Sequence, residues 1–301
     1  MKLLNYMNNG SYRIGIHTDQ GILDAASAAE AARAAGVVFE DIPRDTSEAI
    51  EMGKVGEERL ARLLDWASGQ PTAADCYLDE NSITYGPCVT RPSKIICVGL
   101  NYRKHAEETN APIPEFPVLF SKFTNALASH DSVIPLPSAS NEVDYEAELA
   151  IVIGKEASNV GVEEALSFVY GYCAADDLSA RDLQLRTSQW LLGKTCDRFA
   201  PLGPYLVTAE EVGDPNLLSI RCTVNGEVRQ QSNTSDMIFR CDEIVSYISR
   251  HLTLAPGDVI LTGTPEGVML GYPPERRQYL RSGDVVAVEI EKLGRLTNVM
   301  A

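Results

Sequence analysis

Residues 144–154 read Asp144-Tyr145-Glu146-Ala147-Glu148-Leu149-Ala150-Ile151-Val152-Ile153-Gly154. Side chains alternate between the two faces of a strand. Tyr145, Ala147, Leu149, Ile151 and Ile153 then share one face. Asp144, Glu146 and Glu148 share the other, in register with Ala150 and Val152. Three acids crowd a face that continues as apolar surface. Left uncompensated they would repel one another and lose solvation. A hard divalent cation accepting their oxygens removes both problems, and a solvent-facing acidic edge is the alternative.

Downstream, Val169 to Asp177 reads as a strand ending in paired acids, followed by Leu178-Ser179-Ala180-Arg181-Asp182. Asp177 at the strand end can add a third carboxylate, or simply cap the helix that follows. An all-oxygen Glu/Glu/Asp set suits Mg²⁺ or Mn²⁺, with Ca²⁺ as a third candidate, rather than zinc.

Upstream, the apolar run Lys94-Ile95-Ile96-Cys97-Val98-Gly99 leads into Asn101-Tyr102-Arg103-Lys104-His105-Ala106-Glu107-Glu108. His105 and Glu108 are three apart and share a face on a helical turn. A carboxylate beside a histidine orients it and raises its basicity, as a general base requires. An ordinary polar surface helix has the same spacing. Lys194, in Leu191-Leu192-Gly193-Lys194-Thr195, can bring a cation to an anionic substrate or stand exposed. The turn Thr262-Gly263-Thr264-Pro265 offers N–H groups and hydroxyls to a carboxylate, or is only a turn. A Gly-x-Ser-x-Gly elbow, a P-loop and a Gly-x-Gly-x-x-Gly fingerprint are absent. His17, His130 and His251 have no comparable neighbours and read as structural or surface residues.

Around these segments the chain divides at about residue 90. Residues 1–90 predict a small α/β domain: a hairpin near Tyr12–Asp24, an alanine-rich helix over Ser27–Ala35 and a second helix over Glu57–Ala67. Residues 91–301 predict a mostly β domain, with a hairpin at Asn225-Gly226 and a helix over Asp242–His251. Lys plus Arg number 26 against 42 Asp plus Glu in 301 residues, a net charge of −16. So acidic a chain is a poor match for nucleic acid or an anionic membrane. Met1–Gly10 lacks a signal-peptide pattern, and no apolar run reaches the ~18 residues that span a bilayer. Seven scattered cysteines without a Cys-x-x-Cys pair predict reduced thiols and a cytoplasmic protein.

Taken in order, Ile96-Cys97-Val98-Gly99-Leu100-Asn101-Tyr102-Arg103-Lys104-His105, Asp144–Lys155, Asp177–Asp182, Gly193-Lys194, Val224-Asn225-Gly226-Glu227, Asp236–Phe239 and Leu261–Val268 resemble the fumarylacetoacetate hydrolase family. The resemblance covers about residues 91–301. It implies an α+β, mostly β fold with a mixed β-roll, commonly homodimeric, acting on a small 2-oxo acid. By similarity Glu146, Glu148 and Asp177 hold the cation. His105 and Glu108 match an acid/base pair on a lid, and Lys194 matches a lysine near the substrate's oxygens. Thr264 and Arg103 match substrate contacts. The run Thr195-Cys196-Asp197-Arg198-Phe199 departs from many relatives, which puts Arg198 and Phe199 forward as pocket-wall residues.

From these parts the expected reaction is hydrolysis of a C–C bond in an acylpyruvate or fumarylacetoacetate-like acid. His105 would activate water, and the cation with Lys194 would stabilise the departing enolate. The same site also fits oxaloacetate decarboxylation or isomerisation or hydration of a keto acid. A non-catalytic metal-binding dimer is a rival that His105, Glu108 and Lys194 speak against. The segment after Gly99 is polar, predicting a lid with little buried surface.

Overall fold

A computed structural model describes all 301 residues. In chain order the strands that matter here are β1 (Lys2–Asn8), β2 (Ser11–Thr18), β3 (Gly21–Asp24), β4 (Ile95–Gly99), β5 (Val118–Lys122), β6 (Ala147–Ile153), β7 (Val169–Asp176), β8 (Ala200–Thr208), β9 (Ser219–Val224), β10 (Glu227–Asn233), β11 (Val259–Leu261), β12 (Val285–Ile290) and β13 (Gly294–Met300). The helices are α1 (Ala25–Ala34), α2 (Lys54–Ser68), α3 (Arg103–Glu108) and α4 (Cys241–Ser249). One 12-stranded mixed sheet runs β3-β2-β1-β8-β7-β6-β11-β4-β5 and is completed by three further strands of two or three residues, and a five-stranded sheet runs β10-β9-β12-β13 before a final short strand. The class is α+β, mostly β.

Every residue of β6 is buried, because β7 and β11 flank it and cores cover both faces. Tyr145, Ala147, Leu149, Ile151 and Ile153 pack into the larger core. Ala150 and Val152 pack into the smaller one together with Leu3, Ile14, Leu60 and Leu63 from the first 90 residues. The face assignment read from alternation therefore holds for the apolar residues. Leu60 and Leu63 lie three apart on α2 and both are fully buried. Each contributes about 1.5–3 kcal/mol of burial free energy. β1 pairs antiparallel with β8 (Lys2 opposite Val207, Leu3 opposite Leu206), so the first 90 residues extend the same sheet that carries β6 and β7.

The β9–β10 hairpin turns on Asn225 (φ 52°) and Gly226 (φ 82°), the two positive φ values of a type I′ turn. No helix is long and apolar enough to cross a membrane.

Candidate metal and acid/base site

The chain does not run as one strand from Asp144 to Gly154. Val143–Asp144 pairs with Ser179–Ala180, and β6 begins only at Ala147. The break at Tyr145-Glu146 turns Asp144 away from the acid cluster. Its carboxylate instead accepts from Arg181 Nε (2.9 Å) and from the N–H groups of Met269 (2.9 Å) and Leu270 (3.1 Å). The backbone of Glu146 is tied to both residues of the Asp176-Asp177 pair. Asp177 N–H donates to Glu146 O (2.9 Å), and Glu146 N–H donates to Asp176 Oδ1 (2.9 Å). Carboxylate oxygens of Glu146, Glu148 and Asp177 then lie within 4.8 Å of one another, all buried.

Three cations surround this cluster. Lys194 Nζ donates to Glu146 Oε2 (2.6 Å) and Asp177 Oδ2 (2.8 Å). Arg181 Nη1 is 2.7 Å from Glu146 Oε1. Lys122 Nζ is 2.6 Å from Asp177 Oδ1, off the line of a hydrogen bond, and donates to the carbonyls of Leu178 (3.0 Å), Phe199 (2.7 Å) and Lys194. Burial opposes ionisation of Glu146, but Lys194 and Arg181 outweigh it and hold its carboxyl at about 2. Burial likewise works against the charge on Lys194, and Asp177 and Glu146 override it, so its pKa is raised.

Glu148 is the acid left over. Its Oε2 accepts only the Gly263 N–H (2.7 Å). Burial, then Asp177 and Glu146, push its pKa well above the usual carboxylate range. A third buried carboxylate without a cation of its own, in an all-oxygen set, fits a hard divalent ion. Gly263 is required where it stands. Its φ is +100°, and a Cβ would come within 2.7 Å of Asn101 Cβ and 3.0 Å of Val98 O.

His105 faces the same space from α3, with Glu108 behind it. His105 Nδ1 is 2.8 Å from Glu108 Oε1, and Glu108 Oε2 accepts the Gly267 N–H (2.9 Å). With Nδ1 turned to the carboxylate, Nε2 is the atom left for chemistry. The segment is less polar in effect than its composition predicts, because Tyr102, His105 and Ala106 are all buried. A cavity of about 170 Å³ lies between α3 and the acids, lined by His105, Glu146, Glu148, Arg181, Gln184, Lys194 and Thr264 on its polar side.

Of the residues expected here, Arg103 is not brought in. It is exposed and does not line the cavity. Two residues at 100° each place it opposite His105 on the helix. Thr264 lines the cavity, but its hydroxyl donates to Ala147 O (2.9 Å) and accepts from Gln230 Nε2 (2.8 Å), tying the turn to β6. Arg198 and Phe199 form no part of the wall. Arg198 reaches Val133 O, and Phe199 is a buried core residue.

Sequence reading missed Arg181, Gln184 and Lys122. Arg181 Nη1 donates to Gln184 Oε1 (3.0 Å), which fixes the amide with its NH₂ as the remaining donor. Their i, i+3 spacing after Asp177 was an available signal. So was a lone lysine inside the apolar run Val118–Phe123.

A buried acid triad and a His–Glu pair thus meet at one small cavity, an arrangement able to hold a hard cation beside an acid/base pair. The profile described as fumarylacetoacetate (FAA) hydrolase C-terminal matches residues 94–301, and the chain belongs to the fumarylacetoacetate hydrolase family. It is 45% identical over 260 residues to the mitochondrial oxaloacetate tautomerase FAHD2A of Bos taurus, covering 85% of this chain and 80% of that one. The structure of fumarylacetoacetate hydrolase from Exiguobacterium antarcticum superposes with a TM-score of 0.78 at 30% identity, covering 100% and 99% of the two chains. Fumarylpyruvate hydrolase from Pseudomonas aeruginosa, solved with Mn²⁺ and pyruvate, gives 0.65 at 34% identity over 74% of this chain and 93% of its own.

Proposed function

We propose that this protein is a divalent-cation-dependent enzyme of short 2-oxo diacids that catalyses keto–enol exchange at C3 of oxaloacetate. The observation that carries the reading is the cavity with His105, backed by Glu108, on one side and Glu146 and Glu148, grouped with Asp177, on the other. The relatives named oxaloacetate tautomerases, similar over most of the chain, support it.

The C3–H of a 2-oxo acid becomes acidic when charge at the C2 oxygen is stabilised. A Mg²⁺ or Mn²⁺ ion held by Glu146, Glu148 and Asp177 would supply Lewis acidity toward the 2-oxo acid. His105 Nε2 takes the C3 proton, and Glu108 steadies the imidazolium through Nδ1–H. The electron pair moves to the C2 oxygen, near which Lys194 supplies positive charge. Return of the proton to that oxygen gives the enol, and the reverse sequence gives the keto form. The Gln184 amide offers donors to a substrate carboxylate.

Hydrolysis of an acylpyruvate C–C bond is the second reading. It is favoured by the His105–Glu108 pair, which suits activation of a water. One assay separates the two: enzyme with Mn²⁺ is given oxaloacetate in D₂O and, separately, acylpyruvates. Accelerated C3 exchange without pyruvate is the expected result. Pyruvate from oxaloacetate would mean decarboxylation, and pyruvate from acylpyruvates would mean hydrolysis. No turnover of any substrate would overturn both readings.

The exposed Phe123, Leu185 and Leu192 support a homodimer, checked by light scattering. Seven free cysteines, six of them buried, support a reducing compartment such as the cytoplasm.

A further inference from the structure

The cavity has a second side that the chemistry above does not use. Gly99, Leu100, Phe120, Leu185, Trp190 and Leu270 line it, and none carries charge. Trp190 precedes the one-turn helix Leu191–Lys194, and its carbonyl accepts the N–H groups of Gly193 (3.0 Å) and Lys194 (3.2 Å). Trp190 and Lys194 are thus four apart on one turn and share a face. The indole lies directly on Gly99: a Cβ there would sit 2.6 Å from Trp190 Cζ3 and 3.0 Å from Cη2. The φ of Gly99 is not positive, so the position needs glycine for space and not for backbone conformation. Phe120 meets the indole edge-on, with centroids 5.3 Å apart at 69°. Lys194 Nζ lies 5.0 Å from the Phe120 ring centroid. Indole, phenyl and ammonium therefore stand in series, from the apolar side to the catalytic side.

We infer that Trp190, seated on Gly99 and braced by Phe120, is the length stop of the site. It restricts the enzyme to 2-oxo acids whose chain beyond C3 is short. This rests on the reading that the polar side receives the 2-oxo acid group. With that group fixed at Lys194 and Gln184, the rest of the substrate must extend within about 170 Å³ toward the aromatic wall. A longer charged tail would also lose its hydration against that wall without a partner.

The test is a ladder of pyruvate, 2-oxobutyrate, 2-oxohexanoate and 2-oxooctanoate, titrated by calorimetry into the Mg²⁺-loaded protein. The wild type should favour the two short acids over the two long ones by about tenfold or more, the usual weight of excess methylenes against a fixed pocket wall. Trp190→Ala should raise the long-to-short affinity ratio by about tenfold, and Trp190→Phe should fall between. Gly99→Ala, which pushes the indole into the cavity, should move the ratio the other way. A merely structural role would lower all four affinities in parallel in all three variants, and that result would overturn the inference. So would a wild type that binds all four alike, which would leave the proposed function standing. A wild type that binds none of them would overturn the stop, and if oxaloacetate titrated alongside also failed to bind, the proposed function would fall with it.

Discussion

Two sides of one cavity are held in different ways. Glu146, Glu148 and Asp177 sit on or beside β6 and β7 in the middle of the large sheet, and Lys122, Arg181 and Lys194 meet them as fully buried cations. Each charge there is part of the fold's own electrostatic balance. His105 and Glu108 ride on a six-residue helix whose polar ties to the opposite loop are Glu108 to Gly267 N–H and the exposed Lys104–Glu266 pair. Removing a residue from the first side leaves a buried charge without its partner. On the proposed mechanism, removing one from the second takes away chemistry and leaves the sheet alone. Fold and function are therefore separable on the helix side and joined on the acid side.

The largest expected effect lies on the helix side. His105→Ala should lower kcat for the proposed exchange by about 10²–10⁴-fold, the weight of a general base. Its melting temperature and Mn²⁺ affinity should stay close to wild type, because the charge on Glu146 rests mainly on Lys194 and Arg181 and not on the imidazole. Steady-state kinetics beside calorimetry would break the comparison if the variant unfolded or kept full activity.

On the acid side, Glu148→Ala should weaken Mn²⁺ binding by about 10³-fold. Loss of an outer-sphere partner alone costs about 10–100-fold, and Glu148 is proposed to touch the ion directly. A calorimetric affinity equal to wild type would show that Glu148 is not a ligand.

Lys122→Met tests the other half of the claim, that cations on this side belong to the fold. Its ammonium gathers Leu178 O, Lys194 O and Phe199 O beside Asp177. Breaking a buried pair and orphaning three carbonyls should cost about 3 kcal/mol of stability, read by urea denaturation. A variant as stable as wild type would remove the distinction between the two sides.

The same contrast explains what could be read in advance. Glu146, Glu148 and the apolar face of β6 were legible because alternation is a local property of a strand. Asp177 was legible because it ends an apolar run. His105 and Glu108 were legible because helical spacing pairs them within one turn. Asp144 misled because the extended run breaks at Tyr145-Glu146, where Asp144 meets Arg181, 37 positions away. Lys122 was invisible for the same reason, since its acceptors lie 56 to 77 positions along the chain. Arg103 misled because a resemblance transfers residue types, whereas the facing of a short helix decides which of them reaches the cavity. The pairing of β1 with β8 was hidden too, because cross-strand partners more than 200 positions apart leave no local pattern.

The smallest effect should come from a residue that touches neither substrate nor ion. Gly271 stands where a Cβ would lie 2.6 Å from both Cδ and Oε2 of Glu108. Its φ is not positive, so alanine is no strain on the backbone. Something must shift, and the end of the Glu108 side chain shifts more readily than the loop, which Asp144 holds through the Met269 and Leu270 N–H groups. Glu108 would then meet His105 Nδ1 off its present 2.8 Å geometry. A displacement of well under an ångström in a group that only orients the base should cost about tenfold in kcat, less than the loss of the base itself. KM, Mn²⁺ affinity and melting temperature should hardly move, because the acid side is untouched. Pairing Gly271→Ala with Glu108→Gln sharpens the point: if Gly271 acts through Glu108, the double variant should be no slower than Glu108→Gln alone. Additive losses would mean that Gly271 serves the loop and not the carboxylate, and the helix side would then be tied into the fold more firmly than this comparison holds.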